Sequence, residues 1–259
     1  MTVERLFNSM KIIDIHTHNG EWEHENPEKY DYCGGTMEEF IADLDEDNVE
    51  YCIMSSVKAL LEDDNLPEGN RATYSDAELD QRLYAATYYN PNFVDISREE
   101  IEKYKDHPKF IAFKSRPERH EKAIDDPGYM PLFEAAQELN KPVLLHTWPV
   151  RNAYELAHAA EEFPGAAFVM FHICAEDYLE AAHAVQEHEN IYLEPAVSTF
   201  YRGKIRATLD IVGKERYMFG SDYGLMSRRR IMEYYEEADL TQDEYRAVFR
   251  GNALRVFGF

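Results

Sequence analysis

The chain has 259 residues, of which 44% are hydrophobic and 13% aromatic, and its formal net charge is −23 at pH 7. This length allows one barrel-type domain with a sizeable core, and the charge makes nucleic acid and anionic membranes unfavourable partners. No apolar run approaches the roughly 18 residues of a membrane span, and three scattered cysteines do not form a disulfide framework. We therefore expect a cytoplasmic protein in a reducing setting, with a small molecule as its partner.

Short apolar runs alternate with helical patterns along the chain. Strands are predicted at Lys11–His16, Tyr51–Ser56, Leu83–Tyr89, Phe110–Lys114, Pro142–His146, Ala167–Ile173, Ile191–Glu194 and Tyr217–Ser221. Helices are predicted at Met37–Asp47, Ser97–Asp106, Leu132–Leu139, Ala153–Glu162, Ala175–Glu187, Lys204–Val212 and Arg230–Glu237, with a last one within Thr241–Phe259. Eight such units predict an α/β fold, a closed (β/α)8 TIM barrel, and we expect residues 1–259 to form a single domain.

Two helix starts and two long loops complete this outline. Ser97 and Thr241 are predicted N-caps, because each is followed three residues later by a glutamate that completes a capping box. Gly20–Thr36 and Lys58–Asp80 are longer than ordinary barrel loops. Both leave the carboxyl ends of predicted strands, where a barrel builds its active site, so we expect them to be lids or substrate walls.

The first predicted strand ends in two histidines with one residue between them, His16 and His18. Side chains alternate between the faces of a strand, so Asp14, His16 and His18 are predicted on one face and Ile13 and Ile15 on the other. Two imidazoles on one face can bind a single metal ion. Taken alone, the pair is equally compatible with two surface histidines.

Other strands also end in a polar residue, namely Lys114, His146, His172, Glu194 and Asp222. His172 is predicted on the face of Phe168 and Met170, and Asp222 on the face of Met218 and Gly220. The carboxyl ends of all barrel strands meet at one mouth, so these groups are expected to converge there. Each residue alone also fits a structural role, but their coincidence predicts a metal site.

These residues lie in motifs that resemble a known family. The motifs are Ile13-Asp-Ile-His-Thr-His18, Phe113-Lys-Ser-Arg-Pro117, Val143-Leu-Leu-His-Thr147, Phe171-His172, Gly220-Ser-Asp-Tyr223 and Asn252-Ala-Leu-Arg-Val-Phe257. Together they resemble the amidohydrolase superfamily, and within it the amidohydrolase-related branch that includes aminocarboxymuconate-semialdehyde decarboxylase and the resorcylate decarboxylases. The motifs are specific for the superfamily and poorly specific for the reaction.

The resemblance implies a role for each matched residue. It implies metal binding by His16, His18 and His146, and for Asp222 the roles of both metal ligand and proton carrier. His172 would be a ligand of a second metal, or an acid/base residue in one-metal members. Lys114 matches a lysine that some members carbamylate to bridge two metals. The implied cofactor is a divalent metal, one or two ions, with zinc favoured over manganese because histidine dominates the ligand set.

The reaction expected from this resemblance is metal-dependent hydrolysis of a small amide, ester or lactone by activated water. The alternative is a one-metal, non-oxidative decarboxylation of a small aromatic carboxylic acid. A third interpretation is a metal-binding barrel without turnover. The chain departs from many relatives at Arg116 and Cys174, which leaves the substrate open.

Four further residues are candidates for substrate binding. Arg116 and His120 follow the fourth strand and are expected to clamp a carboxylate, although pairing with nearby acids explains them equally well. Trp22 lies in the first long loop and is a candidate substrate wall. Glu194 is expected to contact a ligand histidine from behind. The basic run at 228–230 is typical of a solvated segment or an anion site, and a homo-oligomer is left open.

Overall fold

The computed structural model describes residues 10–20, 33, 35–61 and 65–259. Its strands form one sheet in which every neighbouring pair is parallel and the strands follow sequence order. The strands are β1 (Ile12–Asn19), β2 (Val49–Ser56), β3 (Leu83–Tyr88), β4 (Phe110–Ser115), β5 (Val143–His146), β6 (Phe168–Phe171) and β7 (Ile191–Glu194). All seven were predicted, with ends that differ by a few residues.

Residues 217–223 close the sheet between β7 and β1. The amide of Met218 donates to the Leu193 carbonyl at 2.9 Å on one side, and the amide of His18 donates to the Tyr223 carbonyl at 2.8 Å on the other. These contacts form isolated bridges rather than a regular eighth strand. The predicted TIM barrel is confirmed, with an irregular segment at the predicted eighth-strand position.

Helices follow most of the strands and cover the outside of the sheet. They are α1 (Met37–Glu46), α2 (Val57–Leu61), α3 (Leu66–Ala77), α4 (Val94–Tyr104), α5 (Pro117–His120), α6 (Met130–Leu139), α7 (Arg151–Glu162), α8 (Tyr178–Ala184), α9 (Lys204–Val212), α10 (Arg228–Glu236), α11 (Gln242–Arg246) and α12 (Asn252–Phe257). Within the described ranges, none of the helices has the length and apolar character needed to span a membrane.

The structure corrects two of the local predictions and confirms one. The predicted loop Lys58–Asp80 contains most of α2 and all of α3. Ser97 is not an N-cap, because α4 begins three residues earlier and the buried Ser97 hydroxyl donates back to the Asn90 carbonyl at 3.1 Å. Thr241 does cap α11, and its capping box is complete. Most of the other long loop lies outside the described residues.

The core has two layers. One apolar cluster takes alternate residues from the strands and fills the barrel; it includes Ile13, Ile15, Ile53, Ala112, Leu144, Val169, Phe171 and Met218. A larger cluster lies between the strands and the helices and includes Ile12, Met54, Phe113, Leu145, Phe168 and Met170. Phe259 stacks on Tyr51 at 4.6 Å and packs against the inner cluster. Polar side chains that point inward therefore collect at the carboxyl-terminal mouth.

A bulge in β1 changes the predicted alternation. Asp14 pairs with Cys52 and Thr17 with Met54, so β1 has one residue more than β2 over this interval. An extra residue shifts the side-chain alternation of the strand that carries it. Asp14 accordingly points outward to the helices, whereas His16 points to the mouth. The prediction that both residues share a face is therefore wrong.

The outward-facing Asp14 forms a fully buried ion pair with Arg228 on α10. The Arg228 Nε lies 2.7 Å from Asp14 Oδ2, and neither side chain is exposed. The Ser221 hydroxyl also donates to Asp14, at 2.6 Å, and the guanidinium lies 3.9 Å from the centre of the Tyr223 ring. Arg228 therefore joins α10 and the 221–223 segment to β1, which differs from both the solvated segment and the anion site considered from the sequence.

Loss of the Arg228 charge is expected to destabilise the fold strongly. Arg228→Met leaves the Asp14 carboxylate buried without its counter-ion, which typically costs about 3–5 kcal/mol. Arg229→Met is the matched control, because Arg229 is 67% exposed and pairs at the surface with Glu46 and Asp47, where little stability is at stake. Urea unfolding measures both; similar losses for the two variants would contradict the structural role of Arg228.

Candidate metal centre

Seven of the side chains singled out in the sequence meet at the carboxyl-terminal mouth. They are His16, His18, Lys114, His146, His172, Glu194 and Asp222. The ring centres of His16 and His18 are 5.2 Å apart, those of His16 and His172 are 5.0 Å apart, and those of His146 and His172 are 4.3 Å apart. Such spacing places several imidazoles within reach of a common ion.

Three of these imidazoles are anchored through their Nδ1 atoms. His16 Nδ1 lies 2.8 Å from Glu194 Oε2, and His172 Nδ1 donates to the Ala196 carbonyl at 2.5 Å. His18 Nδ1 lies 3.2 Å from the carbonyl oxygen of Ser55. The Ser55 hydroxyl lies 3.1 Å from the same nitrogen. The Ala196 carbonyl only accepts hydrogen bonds, so its contact places the proton of His172 on Nδ1 and leaves the Nε2 lone pair of that ring for a ligand.

The Nε2 atoms converge on Asp222. Its Oδ1 lies 3.1 Å from His18 Nε2 and 3.3 Å from His16 Nε2. Although it is buried, His16 Nε2 has no hydrogen-bond partner among the described residues. One ligand atom each from His16, His172 and Asp222 lies within 4.8 Å of the other two. Lone pairs that converge in a buried space fit a divalent cation at their centre.

The charges of these groups also suit a cation. Burial lowers the pKa values of His16 and His172 well below the ordinary value, so both rings are neutral at pH 7. Burial opposes the ionisation of Asp222, but the hydrogen bond from His18 and the neighbouring His172 and Lys114 hold its pKa below the usual range. The set therefore combines neutral imidazoles with one carboxylate, as divalent transition metals prefer.

Residues 13–259 match the family model described as Amidohydrolase. The chain belongs to the amidohydrolase family. No curated protein matches the sequence.

Three solved structures are similar in fold to this amidohydrolase barrel. A 2,6-dihydroxybenzoate decarboxylase from Rhizobium has a TM-score of 0.78 at 12% identity, covering 96% of this chain and 99% of its own. A dihydroxybenzoic acid decarboxylase from Polaromonas, with bound manganese and 2-nitroresorcinol, has a TM-score of 0.78 at 13% identity, covering 96% and 97%. A probable 2-pyrone-4,6-dicarboxylic acid hydrolase from Acinetobacter baumannii has a TM-score of 0.68 at 17% identity, covering 96% and 100%. At these identities the likeness shows the fold.

His172 reaches the amidohydrolase mouth by a route that alternation does not predict. Val169 and Phe171 belong to the inner cluster and Phe168 and Met170 to the outer one. Strict alternation would turn His172 outward with Phe168 and Met170. Its backbone instead adopts a positive φ of 69°, and the ring enters the site. The predicted face is wrong although the predicted location is right.

Glu194 contacts His16 on the side away from the ligand group. Gly220, which has no side chain, leaves the space that both residues occupy. Besides its contact with His16, Glu194 accepts a hydrogen bond from the Ala196 amide at 2.5 Å, and burial raises its pKa to about 8. A Cβ on Gly220 would lie 2.6 Å from the Cβ of His16 and 2.8 Å from the Cγ of Glu194. Glycine at 220 is therefore required by the His16–Glu194 contact.

Lys114 lies at the same mouth without joining the ligand group. Its Nζ is buried, has no hydrogen-bond partner in the described part of the chain, and lies 4.0 Å from the centre of the Phe171 ring. Burial lowers its pKa to about 7. The side chain is thus a buried amine that faces an aromatic ring.

His146 has a carboxylate partner that the sequence did not indicate. Its Nδ1 lies 2.6 Å from Glu118 Oε2, and Glu118 Oε1 accepts from Arg116 Nε at 2.8 Å. Burial disfavours the charge on Glu118, but His146 and Arg116 lower its pKa to about 2. The sequence feature that could have indicated Glu118 is Pro117. Proline at this position starts a short helix directly after β4, so Glu118 stays at the mouth.

Two other residues, His120 and Trp22, were also predicted to bind substrate. His120 is buried, and its two ring nitrogens lie 3.0 and 3.1 Å from the hydroxyls of Tyr88 and Tyr129. Burial lowers its pKa to about 3, so the ring is neutral and both nitrogens are occupied. This geometry opposes the predicted contact of His120 with a substrate carboxylate. Trp22 lies outside the described residues.

Proposed function

We propose that the chain is a metal-dependent, non-oxidative decarboxylase of a small aromatic carboxylic acid, with one divalent ion. The observation that carries this proposal is the single ligand group formed by His16, His172 and Asp222 among the described residues. His146 is not one of these three residues, and the Lys114 Nζ lies 4.0 Å from the centre of the Phe171 ring. This supports the one-metal decarboxylation, which the sequence analysis gave as the alternative to metal-dependent hydrolysis.

The ion would be held by His16, His18, His172 and Asp222. When bound, it would supply positive charge that anchors the anionic oxygens of the substrate. The Polaromonas neighbour contains manganese, whereas the histidine-rich ligand set favours zinc. Both ions are therefore used in the tests below.

Decarboxylation breaks the bond between the ring and the carboxyl carbon, leaves the electron pair on the ring carbon and releases carbon dioxide. One proton must then add to that ring carbon. Asp222 is ionised in the free site, so it can accept a proton from an acidic group of the arriving substrate and deliver it to the ring. Lys114 contributes a buried amine that favours an anionic substrate.

The surroundings of the site suit an aromatic ring. His16 stacks on Phe171 with ring centres 3.8 Å apart, and His146 stacks on Trp148 with ring centres 5.9 Å apart. Trp148 is 37% exposed, so its indole is accessible from the mouth. Flat, apolar surfaces beside charged groups are typical of sites for aromatic acids.

Hydrolysis remains the second candidate. The family description and the Acinetobacter neighbour support it, and the ionised Asp222 beside the ligand group is equally able to accept a proton from water. A third possibility is a metal-binding protein that catalyses neither hydrolysis nor decarboxylation.

A substrate panel separates these functions. The protein, loaded with manganese or zinc, is incubated with 2,6-dihydroxybenzoate and related hydroxybenzoates, and with amides, esters and lactones. We expect carbon dioxide release and, in deuterium oxide, one deuterium at the vacated ring carbon. Hydrolysis of a lactone, ester or amide with no carbon dioxide from any aromatic acid would overturn the proposal, and turnover of neither class would support the binding protein.

The number of ions tests the role of Lys114. We expect one divalent ion per chain, unchanged in Lys114→Ala, because the Lys114 Nζ lies 4.0 Å from the centre of the Phe171 ring and an amine without a carbamate does not bridge two ions. Elemental analysis of protein prepared with excess metal and bicarbonate makes the measurement. Two ions per chain, falling to one in the variant, would instead establish a carbamylated Lys114 as the bridge that the family resemblance implies.

A further inference from the structure

The backbone that carries His172 is strained. His172, Ile173, Cys174 and Ala175 have φ values of 69°, 44°, 48° and 50°, and none of them is glycine. Ala175 combines its positive φ with a ψ of −112°, outside the small left-handed region. Consecutive residues in such conformations persist only when their surroundings hold them in place.

Three contacts secure the start of this segment. Thr147 donates to the Phe171 carbonyl from its hydroxyl at 2.7 Å, and the His172 ring donates to the Ala196 carbonyl at 2.5 Å. The third contact comes from Lys204, whose Nζ donates to the carbonyl oxygen of His172 at 2.6 Å. That bond acts directly on the residue whose backbone turns the ring into the site.

Lys204 is an unusual residue to find in this position. It begins α9, its side chain is completely buried, and its Nζ lies 5.6 Å from the centre of the Tyr201 ring. Burial of an ammonium group is costly unless it is paired. Lys204 contacts the site through the backbone carbonyl of His172, and its charge also acts on the carboxyl group of Glu194.

We infer that Lys204 is a positioning residue that fixes the strained backbone of His172 and thereby places this imidazole in the metal centre. The inference rests on the proposed metal site. By strict alternation the His172 side chain would leave the mouth with Phe168 and Met170. Lys204 opposes that outcome by bonding the carbonyl at the point where the backbone departs from the strand.

The first test measures metal affinity, which does not depend on turnover. Lys204→Met keeps the length of the side chain and removes the donor, and we expect it to weaken manganese and zinc binding about 10- to 100-fold, as loss of a supporting contact does elsewhere. Lys109→Met is the matched control, since the Lys109 Nζ donates to the carbonyls of Asp80 and Gln81 at the other end of the barrel. Its affinity should be unchanged.

A double-mutant cycle distinguishes positioning from a general effect on the core. In a His172→Ala background, Lys204→Met should cause no further loss of metal affinity, because the ring that it positions is gone. An equal loss in both backgrounds would overturn the inference.

Relief of strain provides a second, independent readout. Glycine adopts positive φ at little cost, so Ala175→Gly should restore part of the metal affinity of Lys204→Met. If Lys204→Met does not fold, the same glycine should restore folding. No restoration of either property would count against a role in holding this backbone.

Imidazole NMR of the metal-free protein separates this inference from the proposed function. In Lys204→Met, the ring nitrogen signals of His172 should shift while those of His120 stay unchanged. If the His172 signals shift but the unmodified chain binds neither manganese nor zinc, the positioning of His172 is upheld and the metal centre is refuted. Unshifted His172 signals would refute the positioning role.

Discussion

Asp222→Asn is expected to lower turnover by at least about 10²–10⁴-fold, the usual contribution of a group that transfers protons. Asparagine has the same size as aspartate, but it cannot accept a proton at neutral pH and it is a weaker ligand for a cation. The free energy of unfolding should change little, because the His18 Nε2 that lies 3.1 Å from Asp222 still has an oxygen to contact. Steady-state rates and metal content are measured on the same preparation.

Asp239→Asn is the matched control for this substitution. Asp239 is exposed and also has a positive φ, 46° compared with 57° at Asp222, so the backbone preference of asparagine is tested equally. The control should retain full activity. Most of the activity retained in Asp222→Asn with its full metal content would mean that the carboxylate is a structural cap.

Much of the barrel follows from local patterns in the sequence. The strands from β2 to β7 are short apolar runs, and Lys204–Val212 has the same bounds in the prediction and in the structure. Tyr217–Ser221 resembles these runs in composition, yet it forms only isolated bridges. Strand propensity does not reveal how a closing segment pairs with both of its neighbours.

The position of the site could be predicted because histidines and acids end several strands of one barrel. Its supporting contacts could not, because they join residues far apart in the chain. Asp14 and Arg228 are 214 positions apart and His16 and Glu194 are 178 apart. Nothing in the local sequence indicates that the first residue of a basic run is completely buried.

Alternation failed where the backbone leaves regular strand geometry. The bulge in β1 separates Asp14 from His16, and the positive φ of His172 turns that ring inward. In both cases a side chain reaches the mouth against the two-residue period. Departures of this kind are concentrated at functional sites, which is where a pattern-based prediction is weakest.

Gly220→Ala is expected to disrupt the metal centre without changing any charged group. The added Cβ would lie 2.6 Å from the Cβ of His16 and 2.8 and 2.9 Å from Glu194 atoms. The Cβ of His16 is fixed by its strand and cannot rotate away, so the His16–Glu194 contact must open. We expect at least about a tenfold loss of metal affinity, as for loss of a supporting contact, and about 1–3 kcal/mol lower stability from overpacking.

Gly35→Ala is the control for this last substitution, because Gly35 is exposed and its added Cβ would lie 3.7 Å from Glu39 Oε2, an ordinary contact. Metal affinity by competition with a chelating dye, and stability by urea unfolding, are measured for both variants. The control should match the unmodified chain in both properties. A Gly220→Ala protein that binds manganese or zinc as tightly as the control would show that the His16–Glu194 contact is dispensable, because the substitution cannot be accommodated while that contact stays closed.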